Sequence, residues 1–109
     1  MRKITSNNNP LIKKIKTLQR KSSQRKKSKS FVAEGDKEIE KALKNKYKIE
    51  SLFISENSSL IGFNKKDNLS QHLKNCFLVK SDLFKKICYR SSDNNIIAII
   101  KEKEHRFNN

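Results

Sequence analysis

The chain has 109 residues, 34% of them hydrophobic and 34% charged, and a formal net charge of +15. That length suits one domain with one modest core, and no apolar run approaches the ~18 residues of a membrane span. The N-terminus has no apolar secretory segment, and two cysteines, Cys76 and Cys88, make no disulfide framework, so a reducing cytoplasm fits.

Asn8 or Asn9 ahead of Pro10 is a helix-start signal: a capping side chain, then a residue whose φ suits the first turn. Leu11, Ile12, Ile15 and Leu18 recur at helical spacing and form one face that should dock. Lys13, Lys14, Lys16, Arg20 and Lys21 occupy much of the remainder. From Ser22 to Ser30 the apolar period disappears. This segment reads as a flexible, like-charged link, kept extended by self-repulsion.

Residues 1–30 carry 11 Lys or Arg and no acid, whereas residues 31–109 carry 15 basic and 11 acidic side chains. The chain is therefore a nearly balanced body with a strongly cationic arm. A polyanion is its natural partner, and nucleic acid is the commonest one. An anionic membrane fits less well, because the arm's apolar side has no aromatic anchor. The competing accounts of the basic run are a solubilising tail and a nuclear-targeting peptide over Gln24 to Ser30.

"SFVAE", Ser30 to Glu34, reads as a short strand that Gly35 breaks. Asp36 to Lys46 is a helix with Ile39, Ala42 and Leu43 inward, and its acidic start and basic end complement the helix dipole. Ile49 to Ser55 is a second strand. In Glu56 to Asp67, Leu60, Ile61 and Phe63 cover a core edge while the rest forms a loop, and "NLSQHLKN" makes a short helix. Cys76 to Lys80 is a third strand. Ser81 caps a helix with Leu83, Phe84 and Ile87 on one side. Ile96 to Glu102 is a fourth strand, apolar for its first five residues and so central and covered on both faces. Alternating strands and helices imply an α/β layered domain with a small, mainly parallel four-stranded sheet.

No convergent catalytic set stands out. His72 and His105 have no carboxylate or cysteine at motif spacing. Cys76 and Cys88 lack a CxxC pair and read as small, buried apolar residues. Glu34 and Asp36 flank Gly35 and read as partners for backbone N–H groups at a helix start. Two glycines are too few for a Gly-rich phosphate loop. Phe53, Phe77 and Phe84 fall at core positions, and Tyr47 and Tyr89 follow helices as packing residues. Phe63 and Phe107 are the better candidates for exposed, base-stacking aromatics.

The ordered series Asn9-Pro10, a basic helix, a Lys/Arg-rich link, Phe31, Glu34-Gly35 and Ala42-Leu43, followed by "VKSDLFKKI" and "IIAIIKEKE", resembles the N-terminal substrate-binding domain of the SpoU/TrmH family. Members of that family are RNA ribose 2′-O-methyltransferases that use S-adenosylmethionine. The resemblance covers almost the whole chain. It implies a three-layer α/β/α domain, with ribosomal or transfer RNA as partner. It divides the chain into a basic helix and link (1–30), a substrate-binding domain (31–104) and the start of a linker (105–109). Lys13, Lys14, Arg20, Lys21, Arg25, Lys26, Lys27 and Lys29 would then meet phosphates.

By the same resemblance, Glu34 and Gly35 match the family's strand-to-helix turn, and Lys37 stands where the family usually has Arg. A lysine there keeps the charge but loses the bidentate fork. Asp93, Asn94 and Asn95 replace the family's usual Pro-Gln-Gly, and Asn95 suits a left-handed turn. The family's knotted catalytic domain would need about 150 further residues. Its cofactor loops and catalytic-site Glu do not occur here. This chain alone is therefore expected to bind no cofactor and transfer no methyl group, and any homodimer would form through the absent domain. The alternative is a stand-alone ribosome-associated or RNA-turn-binding protein.

Overall fold

A computed structural model describes residues 2–58, 75–89 and 94–102. Along the chain run β1 (Arg2–Ile4), α1 (Pro10–Arg20), α2 (Ser22–Ser28), β2 (Ser30–Glu34), α3 (Asp36–Lys44), β3 (Lys48–Ser55), β4 (Cys76–Val79), α4 (Ser81–Ile87) and β5 (Ile96–Lys101). The strands form one sheet in the order β1-β4-β3-β5-β2.

The α/β class is as expected, but the described residues contain five strands, not four. The extra strand is β1, which pairs parallel with β4 from Arg2↔Phe77 to Ile4↔Val79. Three residues with only Ile4 buried carry no readable period. Tertiary pairing alone makes them a strand.

β4 is parallel to β3, and β5 is antiparallel to both β3 and β2. Four strands therefore point one way, and β5 is inserted between two of them in reverse. The reason is local. α4 follows β4 directly and is seven residues long, about 10 Å at the usual rise. Ile96 pairs with Ile54 near the end of β3, so β5 starts at the same end of the sheet at which β4 finishes. β2, α3 and β3 form the crossover that straddles β5.

Period-2 alternation splits the core between the two faces of the sheet. On one face, Phe53, Phe77, Ile97 and Ile99 pack with Ile12, Ile15 and Leu18 of α1 and with Leu83, Phe84 and Ile87 of α4. On the other, Leu52, Ile54, Ile96, Ala98 and Ile100 pack with Ile39 and Ala42 of α3. The layers are α/β/α, and β5 is buried from Ile96 to Ile100 as its apolar run predicts. Each fully buried Ile or Phe contributes about 1.5–3 kcal/mol of transfer free energy. The sheet's two faces and α1 are thus one stabilised unit.

Several local expectations change. Leu43 lies beside the Ile39–Ala42 stripe rather than on it and is exposed. Ser81 is the first residue of α4 rather than its cap. Lys80 holds the cap position, and the Ser81 N–H donates to Glu56 Oε2 at 2.8 Å. Glu56 also meets Lys3 Nζ at 2.7 Å. The Lys3 contact first, and then the Ser81 N–H, hold the Glu56 carboxyl below its ordinary range. Asn95 is not left-handed, since the described non-glycine residues with positive φ are Lys29 and Lys46. It leads straight into β5, and its carbonyl accepts from Ser55 N–H at 3.0 Å. Leu60, Ile61, Phe63, the "NLSQHLKN" helix, His72, His105 and Phe107 lie outside the described residues.

Candidate nucleic-acid interface

Asn9 caps α1: its Oδ1 accepts from Leu11 N–H at 2.8 Å, and Pro10 opens the helix. With Ile12, Ile15 and Leu18 buried, the same 3.6-residue period turns Lys13 and Arg20 outward. Lys14 does not remain a free cation, because its Nζ meets Glu50 Oε1 at 2.6 Å. Lys16 donates to Asn7 Oδ1.

The link expected to be extended and flexible is instead helix α2 over Ser22–Ser28. No residue of α2 is buried, so no apolar period announces it. Gln, Arg and Lys are good helix formers, and Arg25 supplies the tertiary tie. Its Nη1 donates to Leu18 O at 2.6 Å and to Gln19 O at 3.4 Å. A guanidinium there meets the negative end of the α1 dipole and satisfies carbonyls that the helix leaves unpaired. Lys29 then ends α2 in the left-handed conformation, with φ 54°.

Arg25 is thus a half-buried fastener as well as a cation. Lys21, Lys26, Lys27 and Lys29 are exposed around it, so with Arg20 they form a short cationic ridge. Lys37 is exposed in the first turn of α3, which covers the opposite face of the sheet. It is not part of the ridge.

Beside the ridge lies a cleft of about 470 Å³. Leu18 and Val32 are its apolar lining from the α1 side of the sheet, and Phe31 borders it from β2. Gln19, Arg25 and Glu34 form a polar wall, and Tyr89 stands at the rim. Arg25 and Phe31 also line a second hollow of about 320 Å³ with Ser22, Lys26, Ser30 and Glu102. The two hollows share that boundary and make one groove along α2 and β2.

The β2–α3 turn fixes the polar wall. Gly35 has φ 91° and caps α3, and its N–H donates to Ile96 O at 2.9 Å. Glu34 does not serve the start of α3 as expected. Its buried carboxylate turns the other way and accepts from Tyr89 N–H at 2.8 Å, Asn94 Nδ2 at 3.2 Å and Gln19 Nε2 at 3.3 Å. Gln19 Nε2 also donates to Ile87 O at 2.8 Å. One acid therefore ties the end of α1, the segment after α4 and the approach to β5 together.

Cys88 lies next to this knot. Burial first, and the neighbouring Glu34 charge second, push its thiol up to about 11. Cys76 is also pushed up by burial. Both are half-buried, less enclosed than the sequence suggests. No group of three or more His, Cys, Asp or Glu suited to a metal ion occurs among the described residues.

Tyr89, expected to pack, is 66% exposed. It is the aromatic that sequence reasoning missed. The available signal was its position beyond the last buried residue of α4, Ile87, where the apolar stripe has ended. Tyr47 does pack, edge-on to Phe31 with ring centroids 5.6 Å apart.

Known structures share this architecture. An rRNA methyltransferase from Sinorhizobium meliloti superposes with a TM-score of 0.73 at 22% identity, over 95% of this chain and 38% of its own. An RNA 2′-O ribose methyltransferase gives 0.66 at 28% identity, over 98% and 40%. The SpoU methyltransferase AviRb from Streptomyces viridochromogenes, in complex with AdoMet, gives 0.74 at 12% identity, over 92% and 38%. This chain therefore spans about two fifths of the length of the structures it matches. No curated protein matches its sequence significantly. A family model, the MRM3-like substrate binding domain, matches residues 9–98. That match runs from the cap of α1 to the middle of β5 and takes in the ridge, the groove and the Glu34 knot, and with it the chain belongs to the MRM3-like substrate binding domain family.

Proposed function

We propose that this domain binds ribosomal or transfer RNA in the cytoplasm and presents it to an S-adenosylmethionine-dependent ribose 2′-O-methyltransferase domain. The observation that carries the reading is the ridge of Arg20, Lys21, Lys26, Lys27 and Lys29 beside an open groove. Exposed cations on a docked helix meet phosphates without sequence choice, while the groove and the shape of the RNA supply selection. Lys13 extends the cationic surface along α1, and Lys37 offers a separate contact from the other layer.

On this reading S-adenosylmethionine is held by the catalytic domain that this domain serves. Methyl transfer belongs to the catalytic domain, and no step of it is assigned to these side chains.

The test is a salt titration of the domain with a fluorescently labelled, structured rRNA fragment. Contact with about six phosphates gives a slope of log K against log salt near −4 for single-stranded stretches. A slope near zero overturns the reading.

A further inference from the structure

We propose that the cleft rimmed by Tyr89 takes a single unpaired RNA nucleotide, its base stacked on the Tyr89 ring. This rests on the RNA-binding reading above and adds to it a specific kind of RNA element and a specific place.

Three observations converge there. Tyr89 leaves 66% of its surface in water, yet its backbone is not loose, because its N–H is held by the buried Glu34 carboxylate at 2.8 Å. A solvent-facing aromatic on an anchored backbone suits base stacking. The cleft beneath it has the volume of a small-molecule site, within the usual range of about 300–1,000 Å³. Its lining is mainly polar, from Gln19, Arg25 and Glu34, with Leu18 and Val32 as apolar contacts, which suits a flat ring with apolar faces and polar edges.

The wall has capacity to spare. The Gln19 amide nitrogen serves Ile87 O and Glu34, and its carbonyl oxygen has no protein partner among the described residues. Arg25 spends Nη1 on the α1 carbonyls, and its other N–H donors have no protein partner among the described residues. An acceptor and a cationic donor thus flank the ring. The donor also adjoins Lys26 across the second hollow. A base enters at Tyr89 while its phosphates run along α2. A paired base has no such access, because its faces are stacked and its edge is engaged.

The chain has two tyrosines and no tryptophan, so the Tyr47→Phe variant makes Tyr89 the only tyrosine emitter. That variant is titrated with a single-stranded oligoadenylate and with a fully paired RNA duplex of equal phosphate number. Quenching of Tyr89 by the single strand, with little change on duplex binding, is the expected result. Tyr89→Ala is expected to weaken single-strand binding about 5- to 100-fold and leave duplex binding within about twofold. Tyr89→Phe should restore the single-strand affinity, which a merely structural role for the hydroxyl would not. Binding of the single strand without quenching, or equal loss for both RNAs in Tyr89→Ala, overturns the nucleotide cleft while RNA binding stands. Binding of neither RNA at low salt overturns both.

Discussion

The Tyr89 backbone N–H donates to Glu34 Oε2 at 2.8 Å across 55 residues of sequence. This bond anchors the Tyr89 backbone at a cleft whose lining includes both residues. Glu34 is 8% exposed, and a buried acid is tolerable only where donors surround it. Gln19 and Asn94 also belong to that shell. The geometry at the candidate site is thus maintained by the polar knot that joins three elements of the fold.

Glu34→Gln should therefore cost about 1.5–3 kcal/mol of stability, because an amide turns an NH₂ group toward one of its N–H donors and loses the charge. Urea denaturation measures it. A loss below about 0.5 kcal/mol would show that the knot contributes no net stability.

Gly35→Ala is expected to cost about 1–3 kcal/mol. With φ 91° and ψ 152°, the residue occupies a region that is essentially confined to glycine. A Cβ would also meet Asn94 Oδ1 at 3.1 Å, displacing a Glu34 partner. Thermal unfolding of Gly35→Ala beside Asn94→Ala separates the backbone cost from the loss of Asn94.

The cations of α2 should divide into two kinds. Lys26→Gln with Lys27→Gln is expected to leave the melting temperature nearly unchanged and to reduce the magnitude of the salt slope by about 1.4 on single-stranded RNA. Arg25→Gln should lower stability by about 1–2 kcal/mol, since it removes the cation at the end of α1. Arg25→Lys should recover only part of that loss, because a lysine does not reproduce the planar fork. Equal melting temperatures for Arg25→Gln and the double lysine variant would show that α2 is not fastened through Arg25.

Cys88 gives a pH prediction with a definite sign. Its folded-state pKa of about 11 lies above the ordinary thiol value. Its contribution to stability is therefore full below that ordinary value and is lost as pH rises toward 11. Wild type should lose more stability than Cys88→Ala between pH 7 and pH 10. The native thiols should also react slowly with an aromatic disulfide reagent at pH 8 and quickly in urea.

Much of the domain was legible in the one-dimensional pattern. The Asn9-Pro10 start and the Leu11, Ile12, Ile15, Leu18 stripe specify α1 and its buried face. Ile49 to Ser55 reads as a strand, and the continuous apolar run of β5 specifies one with two covered faces. Both signals are local, and burial against any apolar layer satisfies them. The ordered motifs from Asn9 to Leu43 also pointed to the family that the residue 9–98 match establishes.

Three features depended on the fold. β1 is a strand because β4 offers an open edge. β5 is reversed because it begins, at Ile96, at the end of the sheet where β4 finishes. α2 is a helix because Arg25 reaches back to the carbonyls of α1. The sequence by itself determined which residues are apolar, which are cationic and at what period they recur. Only the tertiary structure decided which cations are fastened, which remain free, and that Tyr89 stands outside. Apolar periodicity reports burial along one element, whereas hydrogen bonds between Glu34 and Tyr89 or between Arg25 and Leu18 join elements whose separation in sequence carries no period.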